Sequence, residues 1–108
     1  MKLVRQWREI ERSLPENWGT AHFRLTADDE VKAERAAAVL ASINPGRRGK
    51  TVRFYAARGG AGPSADAIER LLPRLDDERV GGKLELVGTD EAKAQAEISL
   101  ASLAEALD

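Results

Sequence analysis

The chain contains no cysteine and a single histidine, His22. Without thiols there is no disulfide, no thiolate nucleophile and no cysteine-ligated zinc. One imidazole does not supply the three or four converging ligands of a transition-metal site. Aromatic residues make up only 5% of the composition, so the core has to be assembled mainly from Ala, Leu, Val and Ile. No apolar run approaches the ~20 residues that span a bilayer. The opening stretch MKLVRQWREIERSL is broken by charge every two or three residues, unlike the core of a secretion signal. A cytoplasmic location is the expectation. G-x-S-x-G, H-E-x-x-H and Walker A patterns are all missing, so the reading leans away from an enzyme and implies no cofactor and no metal.

What is present describes a folded domain. Hydrophobic residues account for 43% and charged residues for 32%, the balance of an ordered globular protein. The 108 residues match one domain, 1–108, and at that size folding buries roughly two-thirds of the unfolded chain's surface. The formal net charge is −1, but it is unevenly spread. Residues 35–65 carry six basic and no acidic side chains, whereas residues 66–108 carry five basic and eleven acidic ones. The chain has a positive middle and a negative C-terminal part.

Hydrophobic periodicity orders the elements. Leu3, Trp7, Ile10 and Leu14 share one face of a first helix that Pro15 ends. Residues 20–25 alternate Ala21, Phe23 and Leu25 with His22 and Arg24, as a half-buried strand does. Thr26 and Asp29 resemble a capping box before a second helix that runs to about Ile43, with Ala36, Val39, Leu40 and Ile43 on its core face. Asn44-Pro45-Gly46 stops it. Thr51–Ala57 alternates again, and a Gly-rich turn leads to Ser64, the expected cap of a third helix with Ile68, Leu71, Leu72 and Leu75 inward. Pro73 should kink or split that helix. Residues 83–87 form a third strand. A final helix from about Thr89 presents Ala96, Leu100, Leu103, Ala104 and Leu107.

The order α-β-α-β-α-β-α, with helices between strands, predicts an α/β domain with a three-stranded, mostly parallel sheet packed by helices. One pattern strains that reading. Strands of parallel sheets read as continuous apolar runs, and these alternate, so one sheet face is only lightly covered or is lined by long side chains with their charges at the rim.

Two segments could bind ligands. Gly60-Ala-Gly62-Pro-Ser64-Ala65 fits G-x-G-x-x-A, which holds pyrophosphate at a helix N-terminus. Pro63, however, removes an amide, and a tight strand-to-helix turn explains the glycines equally well. The basic residues Arg47, Arg48, Lys50, Arg53 and Arg58, with Arg24, His22, Tyr55 and Lys83 at polar strand positions, allow a positive sheet face. Against nucleic acid stand the near-neutral net charge and the presence of one aromatic, Tyr55, where stacking platforms use two or more. His22 reads as a surface residue of the polar face. Asp28-Asp29-Glu30 and Asp76-Asp77-Glu78 read as solvated acids, and Trp7 and Trp18 as core anchors. Leu100, Leu103 and Leu107 would make a sticky seam if left uncovered.

Leu14-Pro15 with Trp18, Asn44-Pro45-Gly46-Arg47, Arg53-Phe54, Gly60-x-Gly62-Pro63, and Leu75-Asp76-x-Glu78 before Gly82-x-Leu84 resemble a group of uncharacterised bacterial α/β proteins from high-GC actinobacteria. The likeness spans about residues 7–87. Members of that group repeat such a unit twice in one chain, and this chain has one copy. The resemblance implies a unit that pairs with a second copy by homodimerisation, and it transfers no activity or catalytic residue.

The leading expectation is a non-enzymatic protein-interaction or self-association domain with Leu100, Leu103 and Leu107 at the interface. The alternative is a binder of a phosphate-bearing ligand or nucleic acid, using Arg47, Arg48, Arg53, Arg58, Gly60, Gly62 and Ser64.

Overall fold

Alternation of apolar and polar side chains along each strand leaves one face to be buried and one to stay wet, and the computed structural model is organised by that division. It describes residues 2–58 and 62–91. Helix α1 (Lys2–Ser13) is followed by β1 (Trp18–Thr26) and α2 (Glu30–Val39), with a 3₁₀ turn at Ala41–Ile43. Then come the short β2 (Gly46–Arg48), β3 (Thr51–Ala57), α3 (Ala65–Asp77) and β4 (Lys83–Glu91).

The sheet has four strands in the order β2-β3-β1-β4, and every neighbouring pair is antiparallel. This overturns the three-stranded, mostly parallel sheet. The cause is one missed strand. Gly46–Arg48 pairs with the start of β3 through a two-residue turn at Gly49-Lys50, with Gly49 at φ +60°, a position for which Gly is suited in tight hairpins. The hairpin adds a reversal. β1 runs in the same direction as β2 across α2, and β3 in the same direction as β4 across α3, but neither pair is adjacent. Each such pair is separated by a strand of the other unit, which is the split β-α-β arrangement of ferredoxin-like sheets. An antiparallel sheet tolerates one solvated face, and that accounts for the alternation.

The buried face carries Ala21, Phe23 and Leu25 of β1, Val52, Phe54 and Ala56 of β3, and Leu84 of β4. Helices cover it with Leu3 and Trp7 of α1, Ala33 and Ala36 of α2, and Ile68, Leu72 and Leu75 of α3. Phe23 stacks on Phe54 with centroids 5.5 Å apart and meets Trp7 in a tilted pair at 5.0 Å. Such aromatic pairs add about 0.5–1.5 kcal/mol each beyond their burial. Trp7 and Trp18 are both buried, as core anchors should be.

Several local expectations shift. Asp29, not Thr26, caps α2, its Oδ1 accepting the Lys32 amide at 2.8 Å. Asn44, at φ 56°, ends the 3₁₀ turn that follows α2. Helix α3 continues through Pro73 without splitting. Thr89 pairs with Ala21 inside β4, so no helix starts there, and the rest of the expected final helix, with Leu100, Leu103 and Leu107, lies outside the described residues. Asp76 is not a solvated acid. Its two carboxylate oxygens accept the Leu3 and Val4 amides at 2.9 and 3.2 Å, so a residue of α3 caps α1. Gln6 Oε1 accepts the Leu84 amide at 2.6 Å and so occupies part of the edge of β4. At the entry to β4, Gly82 has φ +82°, and a Cβ there would overlap the Thr26 carbonyl. Only glycine meets both conditions.

Candidate functional site

Since successive strand residues point to opposite faces, the register determines what stands on the side that the described helices leave uncovered. Arg24 lies opposite Arg53 on β3 and Glu85 on β4. His22 lies opposite Tyr55, and Thr26 lies between Thr51 and Lys83. On β2, Arg48 faces Thr51, and Gly46 faces Arg53. Gly46 adds no side chain beside Arg53, leaving an open groove of about 420 Å³ bordered by Arg24, Gly46, Arg47, Arg48, Thr51 and Arg53.

Two of the four arginines bordering the groove are ion-paired among the described residues. Arg24 Nη2 reaches Glu85 Oε2 at 3.4 Å. Arg47 borders the groove but sends its guanidinium to Glu34 of α2 at 3.6 Å and to the Gly49 carbonyl at 3.2 Å. Arg48 and Arg53 are exposed, and neither forms an ion pair or hydrogen bond among the described residues. Among the described side chains, the acids at strand positions of this face are Glu85 and Asp90, both on β4, and Asp90 Oδ2 lies 3.5 Å from His22 Nε2. The β2–β3 half of the face is therefore an exposed cationic surface, although the chain as a whole is nearly neutral.

The Gly-rich turn lies elsewhere. Residues 59–61, including Gly60, are outside the described residues. Ser64 caps α3, its Oγ accepting the Ala67 amide at 3.1 Å. Arg58 donates to the Glu16 carbonyl and lies 4.7 Å above the Trp18 ring, so it ties the loop before β1 to the end of β3. The groove at the start of α3 is bordered by Glu11 and Asp66 as well as Arg58 and Ser64, and two carboxylates there oppose an anion. A Cβ at Gly62 would sit 2.7 Å from Ala57 Cβ and 3.0 Å from the Tyr55 ring. This glycine thus lets the turn approach β3 closely.

The fold brings Arg48 and Arg53 together and adds Arg24 and Thr51. It keeps Arg58, Gly62 and Ser64 at the other end of β3. Arg24 and Lys83 were visible in the sequence only as polar strand positions. Arg24 meets Arg53 because β1 and β3 are neighbours, whereas Lys83 stands across β1 from β3, opposite Thr26. Among the described residues no group of His, Asp and Glu converges as a metal site, and no helix is long and apolar enough to cross a membrane. No protein-family model matches the chain, and no curated protein or solved structure is detectably similar to it.

Proposed function

We propose that this domain is a non-enzymatic binding module whose working surface is the uncovered sheet face, and that it holds a phosphate-bearing partner there. The observation that carries this reading is the groove at the β2 hairpin, where Arg48 and Arg53 are exposed and have no ion-pair partner among the described residues, beside the half-buried Arg24, which reaches Glu85. Guanidinium forks match phosphate oxygens with paired hydrogen bonds, and a partly desolvated sheet strengthens that attraction over bulk water.

The test is a two-dimensional amide NMR titration of the full chain with inorganic pyrophosphate at low salt. Amides of residues 46–53 and of Arg24 are expected to shift saturably, to lose the shift as salt is raised, and to respond at least about ten-fold more weakly in Arg53→Glu. Shifts confined to residues 62–66, or none at all, overturn the proposal.

A second reading keeps the same face and changes its occupant. A sheet with one uncovered face, from a chain resembling proteins that carry the unit twice, is suited to docking a second copy. A dilution series then moves amides of the same face with no anion present.

A further inference from the structure

The phosphate reading leaves part of the uncovered face unused. The His22 and Tyr55 rings stand opposite each other on β1 and β3, the two central strands, with centroids 6.1 Å apart and planes inclined at 36°. Both side chains are exposed. The sequence offers one tyrosine on this face, and the register adds His22 as a second ring beside it. Around the pair lies an open groove of about 260 Å³ bordered by Val87 and Asn44, and it meets the cationic groove at Arg53. Two residues along the same strands, about 7 Å away, comes the next cross-strand pair, Arg24 and Arg53.

An aromatic platform followed at that spacing by paired guanidinium groups matches the alternation of base and phosphate in a polynucleotide strand. Neither groove is enclosed, so a chain can cross the sheet from one to the other. Bases in a duplex are already stacked on each other, whereas unpaired bases are free to lie on protein rings.

We propose that the uncovered sheet face binds single-stranded nucleic acid, with a base stacked on the Tyr55–His22 pair and the adjoining phosphates held by Arg24, Arg53 and Arg48. This rests on the phosphate reading above and adds the base to it. Gly62 belongs to the arrangement as the residue that lets the turn abut one edge of the Tyr55 ring. Charge complementarity selects the occupant, since an acidic or phosphate-rich strand suits this face and a basic one does not. The ring pair then distinguishes a nucleic acid from a polyanion without bases.

The test is fluorescence anisotropy of a labelled uridine dodecamer with the full chain at low salt, beside an abasic dodecamer with the same backbone and a duplex of the same length. The expected result is saturable binding that weakens with salt and is roughly ten-fold or more tighter for the uridine strand than for the abasic strand or the duplex. Tyr55→Ala and His22→Ala should each remove most of that difference, and Tyr55→Phe should keep it. The Phe variant retains the packing as well as the ring, so it guards against a trivial loss of fold. Equal binding of the abasic strand, with Tyr55→Ala unchanged, overturns the base contact and leaves the phosphate reading standing. Equal binding of the duplex overturns the preference for single strands. Absence of binding to all three at low salt overturns this proposal, while the pyrophosphate titration decides the phosphate reading separately.

Discussion

At the scale of single residues, a side chain with no obvious role in the sequence proves to be set by a neighbouring element. Glu11 lies one turn beyond Trp7 on α1. Burial raises its carboxyl above the ordinary value of 4.5, and repulsion from Glu69 and Asp66 of α3 adds to the rise, while Trp7 and Arg8 act in the opposite direction. The Trp7 indole N–H is buried and has no hydrogen-bond partner of ordinary geometry among the described residues, so Glu11 is its electrostatic neighbour rather than a bonded acceptor. An acid whose value is raised by folding binds its proton more tightly in the folded state. Its favourable contribution is complete below the unfolded value and is lost as pH rises through the folded one. Glu11→Gln should therefore raise the thermal midpoint at pH 7, by no more than a few degrees because the group is largely exposed and screened. The gain should close as the pH falls below 4.5. An equal gain at pH 3 and pH 7 would show that ionisation is not its source. Local spacing rules cannot reveal this residue, because Glu69 and Asp66 are more than fifty positions away.

At the scale of elements, most of the chain was legible from periodicity. Helix α1, the alternation of β1, the bounds of β3 and the inward residues Ile68, Leu72 and Leu75 of α3 follow from the 3.6-residue and two-residue repeats alone. Three residues of β2 could not follow in the same way, since Gly46-Arg47-Arg48 has no apolar alternation and its pairing is made by backbone groups. The turn Gly49-Lys50 was the one available signal. The start of α1 likewise depends on a distant partner. A helix lacking an acidic first turn leaves its first amides in need of acceptors, and Asp76 supplies two from α3. Asp76→Ala should destabilise the fold by about 1–2 kcal/mol, read as a lower urea midpoint with an unchanged slope. An unchanged midpoint would mean that water satisfies those amides equally well.

At the scale of the whole molecule, the order β2-β3-β1-β4 places β1 between two long partners and leaves β2, with its two arginines, at an edge. Short charged edge strands resist pairing with other chains. Opening energies should follow that layout. Amide hydrogens of β1 are expected to exchange only with global unfolding, and those of β2 at least about 100-fold faster. Similar rates for the two would mean that the hairpin belongs to the same cooperative unit as the central strands. The binding face is a property of this scale. Arg48, Arg53 and Tyr55 are close in the chain, but Arg24 and His22 join them only because β1 and β3 are neighbours in one register. The sequence by itself determined which faces are apolar, where the principal helices and strands lie, and that the middle of the chain is basic, because these depend on spacing and composition that neighbouring residues express. Strand order, the antiparallel sheet and the cluster of cations beside two rings were decided by tertiary structure, because they rest on hydrogen bonds between residues distant in the chain, and a three-residue hairpin arm was enough to reverse the sheet.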